Sequence, residues 1–295
     1  WQLLYPNQKP QRISLPTYPF ARERYWISTT SQKVWSGKVP KLHPLIDQID
    51  FTLSLNQGVV FQKTFKSTDL IVKDYQVRHQ PILPEVGYLE MAYAAGALVK
   101  QGLKLKLANM VWQQPLTVLE EKKKVQIVIQ EKSEQLNYQI QSHEGNRLIT
   151  HATGEIHAAS TSSEQRISIE EIKARCTHHI EKEALYDSFK DNGIHYGAYF
   201  QGVSEVWGNA EEAFSRIELP EAFEQELQPY TFHPTLIDGA LQTIAGIDDS
   251  LISSTGQPLL LFAVEKVEIL QSLSVHGYAY VKAVGSQCFQ IAILD

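Results

Sequence analysis

After Leu83-Pro84 the chain carries one apolar helical stretch and then a long run written for strands, and this order limits the folds open to it. Tyr88, Met91, Ala92, Ala95, Leu98 and Val99 recur at three- and four-residue steps, which predicts a helix with one buried face. Ahead of it, Val59–Lys66 alternates apolar and polar residues, as a half-buried strand does. Behind it, 111–119, 124–130, 137–141 and 148–157 are each rich in β-branched or alternating apolar residues. One largely buried helix with an antiparallel sheet wrapped round it is therefore expected over 41–160, an α+β arrangement.

The second half repeats the order of elements without repeating the residues. Thr161-Ser162-Ser163-Glu164-Gln165 is a polar break, and 168–190 reads as helical. Strands are expected at 200–207 and 213–219, a helix over 234–247, and strands again at 259–269, 277–283 and 288–294. The reading is a diverged tandem duplication: a first unit over 41–160, a connecting segment over 161–190 and a second unit over 191–295. Side by side, the two would form one continuous sheet with both helices inside.

Composition narrows the class. A chain of 295 residues, 43% hydrophobic and 20% charged, is an ordinary soluble globular sequence long enough for two packed units. A net charge of −6 argues against a nucleic-acid surface, and no apolar run approaches the roughly eighteen residues of a membrane span. With no signal peptide, and only Cys176 and Cys288 without metal-ligand spacing, a reducing cytoplasmic setting is expected. Opening on Trp1 without a Met, and ending in strand-like residues 290–295, the sequence reads as a piece of something longer.

Four motifs carry a family resemblance. Asp74-Tyr75-Gln76-Val77-Arg78-His79-Gln80-Pro81-Ile82-Leu83-Pro84-Glu85-Val86-Gly87-Tyr88-Leu89-Glu90-Met91 resembles the active-site stretch of polyketide synthase dehydratase domains. That family writes it Asp-His-x-Val-x-Gly-x-x-x-Leu-Pro-Gly-x-x-Tyr-Leu-Glu-Met. His233-Pro234-Thr235-Leu236-Ile237-Asp238-Gly239-Ala240-Leu241-Gln242 is similar to its His-Pro-x-x-x-Asp-x-x-x-Gln, and Tyr196-Gly197-Ala198-Tyr199-Phe200 to its Tyr-Gly-x-x-Phe. Trp112-Gln113-Gln114-Pro115-Leu116 matches a family strand pattern. The resemblance implies a double hotdog, two tandem hotdog folds, and substrates tethered to the phosphopantetheine of an acyl carrier protein, with no cofactor in the domain itself. Leu15-Pro16-Thr17-Tyr18-Pro19-Phe20-Ala21-Arg22-Glu23-Arg24-Tyr25-Trp26 cannot be helical and suits an extended strap or a Pro-rich linker. It resembles the linker that ends a ketosynthase region, which marks 1–40 as linker and implies an adjacent ketosynthase in the same polypeptide. Self-association is left open, relatives often being dimeric.

The same resemblance exposes three departures. Tyr75 stands where the family has its catalytic His, His79 where it has a Gly, and Glu85 where a Gly follows the motif proline Pro84. In the family the His takes the α-proton of a β-hydroxyacyl thioester while the Asp, here Asp238, protonates the departing hydroxyl. Asp238 and Gln242 lie one helical turn apart among Leu236, Ile237, Leu241 and Ile244, a setting that raises a carboxyl pKa and suits a general acid. A phenol with a pKa near 10 is ionised to only about one part in a thousand at neutral pH, so Tyr75 is a poor base. His79, about 13 Å along an extended segment or about 6 Å along a helix, is far from the missing imidazole. The catalytic candidates are thus Asp238, Tyr75 and Gln242, with His79, Pro84, Tyr196, Gly197 and Phe200 expected to line the substrate tunnel. Three functions remain open: a non-dehydrating scaffold beside a ketosynthase, as in chain branching; an isomerase or oxygen-ring-forming cyclase using Asp238 and Tyr75; and a dehydratase rescued by His79. His43 and His233 read as structural, His195 as adjoining the tunnel, and His178-His179 as exposed.

Overall fold

The computed structural model describes residues 41–133, 135–159, 167–247, 258 and 260–294. The strap within 1–40 and the polar break at 161–165 lie outside the described residues. The first unit begins with β1 (Gln48–Ile49), α1 (Phe51–Gln57) and β2 (Val59–Lys66), followed by α2 (Leu70–Lys73) and the hairpin β3 (Tyr75–Val77) and β4 (Gln80–Pro81). The helix α3 (Glu85–Val99) precedes the strands β5 (Leu105–Trp112), β6 (Lys122–Lys132), β7 (Gln135–Glu144) and β8 (Arg147–Ala158). The expected strand over 111–119 is displaced toward the N-terminus, because Pro115 has no N–H to give a ladder.

Helix α3 is buried more completely than the expectation of one face allows. Its residues Val86 through Ala92 are all buried, since sheet lies on one side and the second unit on the other. Few polar groups can be accepted there. The exception, Glu90, is 1% exposed, and its carboxylate accepts the backbone N–H groups of Thr231 at 2.9 Å and Phe232 at 2.6 Å. His43 Nε2 lies 2.9 Å from the same carboxylate. One buried side chain thus fastens the helix of the first unit to the chain entering the helix of the second.

The second part contains α4 (Ile169–Arg175), β9 (His178–Glu181), α5 (Lys182–Asp191), β10 (Ile194–Tyr196), β11 (Val203–Gly208) and β12 (Glu212–Glu218). It continues with α6 (Pro234–Gln242), β13 (Ala263–Glu268), β14 (His276–Gly285) and β15 (Cys288–Leu294). The helix expected over 168–190 is interrupted by β9, which pairs with β11 from Glu205↔Glu181 to Gly208↔His178. That strand exists through its partner, not through its own periodicity. Arg175 grips Glu212 of β12 at 2.5 and 3.0 Å, docking α4 on the same sheet. The helix expected over 234–247 is α-helical to Gln242 and tightens to a 3₁₀ turn over Thr243–Gly246.

The described strands form three sheets, not one continuous sheet. Their orders are β1-β2-β6-β7-β8-β5-β13, β15-β14-β12-β11-β9 and β10-β3-β4. The strand β13, late in the chain, closes the edge of the first sheet by pairing with β5. The small sheet joins the halves instead: β10 pairs antiparallel with β3, setting Tyr196 against Tyr75. The main core runs across this junction, with Tyr75, Leu83, Met91, Tyr199, Phe200 and Phe232 in one cluster. No helix among the described residues is long and apolar enough to cross a membrane.

Candidate active site

The junction sheet brings the first and third motifs together. Tyr75 is 3% exposed, and its ring meets those of Tyr196 and Phe200 edge-on at 5.4 and 5.5 Å. Next to it, the Asp74 carboxylate accepts the N–H of Tyr199 at 3.0 Å, and the Asp74 carbonyl accepts the N–H of Gly197 at 2.7 Å. Gly197 is required for this approach. A Cβ there would fall within the Asp74 side chain, 2.6 Å from Oδ2. The Tyr-Gly dipeptide is therefore a docking point for the hairpin that carries position 75.

Helix α3 contributes Glu85, read from the sequence as a departure able to fill the tunnel rather than as a member of the site. Pro84 caps α3 and aims Glu85, its first residue, back toward the hairpin. The Tyr75 hydroxyl donates to Glu85 Oε2 across 3.3 Å, a long hydrogen bond. Burial raises the Glu85 carboxyl to a pKa of about 7, with the phenol opposing the shift. Burial and the neighbouring Glu85 in turn hold the Tyr75 phenol well above its ordinary range.

The second unit supplies Asp238 from α6, 3% exposed. Gln242, one turn on, donates from Nε2 to Asp238 Oδ2 at 2.6 Å and to the carbonyl of Phe200 at 3.0 Å. Its Oε1 accepts from Tyr186 of α5 at 2.9 Å, which fixes the amide orientation. Desolvation lifts Asp238 to a pKa of about 8, the Gln242 bond opposes this, and Glu85 adds to it. At neutral pH this carboxyl is mostly protonated and able to give a proton. Tyr196 is also pushed well above its ordinary range by desolvation and by the charge of Asp238, and lies within hydrogen-bonding reach of Tyr75.

The expected site residues are thus divided. Tyr75, Phe200, Asp238 and Gln242 are buried and form one group with the partly buried Tyr196, with Pro84 and Gly197 positioning it. His79 stands outside that group: it is exposed on the turn between β3 and β4, with φ 63°, and its ring lies tilted against that of His195 at 4.6 Å. The family places a glycine at this position, and the left-handed backbone explains the preference. His233 caps α6 beneath Tyr199 and Tyr230; burial lowers it to a pKa of about 4, so it is a neutral packing residue. Two residues escaped the sequence-based site, Glu85 and Tyr186. The first was signalled by a charge where the family pattern has glycine; the second had no local signal.

Two helix-and-sheet units sharing a buried carboxyl at their junction define a double hotdog. The family model for the polyketide synthase dehydratase domain matches residues 43–143, and that described as the polyketide synthase dehydratase N-terminal domain matches 143–288. The polyketide synthase PksM of Bacillus subtilis (strain 168) is 31% identical over 96% of this chain, which spans 7% of that synthase. The dehydratase domain from the CurF module of curacin polyketide synthase superposes with a TM-score of 0.78 at 25% identity, over 86% of this chain and 93% of that one. A trans-AT polyketide synthase dehydratase domain from Brevibacillus brevis has the same fold, with a TM-score of 0.80 at 24% identity, over 86% and 93% of the two chains. The chain belongs to the polyketide synthase dehydratase family.

Proposed function

We propose that this domain receives β-hydroxyacyl or enoyl thioesters tethered to the phosphopantetheine of an acyl carrier protein and does not dehydrate them. It serves as a scaffold beside a ketosynthase of the same cytoplasmic polypeptide, as in chain branching. The observation that carries this reading is the buried Tyr75 phenol, packed on Tyr196 and Phe200 in the family's histidine position. Elimination of water needs a base at the α-carbon and an acid at the β-hydroxyl. Asp238 supports the acid half, protonated in its desolvated setting. The base half is missing: a phenol raised well above pKa 10 offers almost no phenolate at neutral pH. Loss of a general base costs about two to four orders of magnitude. Rescue by His79 has no support from a side chain on an exposed turn.

A second reading rests on the same protonated groups. Tyr75 and Asp238 are both donors at neutral pH, an arrangement that suits double-bond isomerisation or oxygen-ring closure. One experiment separates the two. The domain is incubated with a β-hydroxyacyl carrier protein and with the matching enoyl species, each followed by intact-protein mass spectrometry and NMR. Retained mass and unchanged spectra, with carrier binding intact, are expected. Loss of one water from the hydroxy form would overturn the non-dehydrating reading, and a mass-neutral spectral change would favour the second.

A further inference from the structure

Glu85 is half-buried at the N-terminal end of α3, and its neighbours come from three other elements. Tyr75 of β3 donates to it at 3.3 Å, while Tyr196 of β10 and Asp238 of α6 interact with it electrostatically. Among these, Tyr75 is the group that gives its hydroxyl to the carboxyl, while Phe200 and Tyr196 meet its ring edge-on and Tyr196 lies within reach of its oxygen. We propose that Glu85 controls this site together with Tyr75: its carboxyl anchors the phenol by a hydrogen bond, and a histidine restored at position 75 stays disabled unless the glutamate is removed as well. The proposal deepens the non-dehydrating reading and rests on it.

The physical reason lies in what a carboxylate does to each side chain. Toward a phenol it is an acceptor, so it holds the hydroxyl protonated and in place. Toward an imidazole, within the ~4–6 Å range where an opposite charge favours the charged form, it stabilises imidazolium. An imidazolium has no lone pair with which to take an α-proton. The buried Asp238 carboxyl, which also interacts with the group at position 75, acts in the same direction once it ionises. Glu85 is thus a positioning residue: it controls the state of the group at position 75 and leaves the acid Asp238 in place. The two departures from the family pattern form one unit, and reversing only the more conspicuous one does not restore the reaction.

The test compares Tyr75→His, Glu85→Gly, Tyr75→His/Glu85→Gly and Tyr75→His/Glu85→Gln in the whole chain, each first checked for folding by circular dichroism. Water loss from a β-hydroxyacyl carrier protein is followed by mass spectrometry, and the imidazole introduced at position 75 is titrated by NMR. The expected result is dehydration by the Tyr75→His/Glu85→Gly protein at least about 10-fold faster than by Tyr75→His alone, the gain in free imidazole that a one-unit fall in pKa allows. The Glu85→Gln combination, which keeps the shape and drops the charge, should lower the imidazole pKa by at least about one unit relative to Tyr75→His. Equal dehydration rates with and without Glu85 would overturn the proposal. So would an imidazole pKa indifferent to the residue at 85, or a folded double variant that still fails to dehydrate. Dehydration by the unaltered chain would sink the non-dehydrating reading instead, while the imidazole titration still reports on Glu85.

Discussion

Tyr75 and Tyr196 face each other in register across the pairing of β3 with β10, their rings 5.4 Å apart. Two motifs from opposite halves of the chain meet in this way, tyrosine against tyrosine. The small junction sheet, more than either large sheet, decides what the site can do.

The docking of that sheet depends on a missing side chain. Replacing Gly197 by Ala sets a Cβ 2.6 Å from Asp74 Oδ2, which must shift and strain its bond to the Tyr199 amide. Gly197→Ala should cost about 1–3 kcal/mol, a fall in Tm of roughly 2–10 °C, measured by thermal denaturation.

Buried carboxyls give the stability a defined pH dependence. Asp238 has a folded pKa of about 8 against about 3.9 unfolded, and Glu85 about 7 against about 4.3, so the native state binds more protons and stability falls as pH rises through these windows. His233, at about 4 folded against about 6.5 unfolded, acts oppositely, with stability rising between those values. Above pH 7 the Asp238 contribution dominates, and about 1 kcal/mol should be lost between pH 7 and 8. Urea midpoints should show this fall in the unaltered chain and a nearly flat profile in Asp238→Asn.

Glu90 ties the two halves through backbone amides, and its removal should be felt there first. Glu90→Ala leaves the Thr231 and Phe232 N–H groups without their carboxylate and should destabilise by about 3 kcal/mol. Hydrogen exchange should report lost protection at those two amides while the amides of β6 and β7 change little.

His79 occupies a backbone conformation that suits glycine. At φ 63° a non-glycine residue bears about 1–2 kcal/mol of strain, partly offset by glycine's greater unfolded-state entropy. His79→Gly should raise stability by up to about 1 kcal/mol in chemical denaturation. It should leave carrier-protein binding unchanged, since the side chain is on an exposed turn.

The sequence alone determined the elements whose signals are local. The period of Tyr88, Met91 and Ala95 marks α3, alternation marks β2, and the spacing of Asp238 and Gln242 places both on one face of α6, where they hydrogen-bond at 2.6 Å. The expectation of Tyr75 in the histidine position came from counting along a motif. Tertiary structure decided the rest: β9 became a strand because β11 offers it a ladder, and β13 crossed to the first sheet because β5 had a free edge. Glu85 entered the site, and His79 left it, for the same reason. Where a side chain points depends on the helix cap or turn that carries it and on the partners across the junction, and those contacts join residues too far apart for any local period to record.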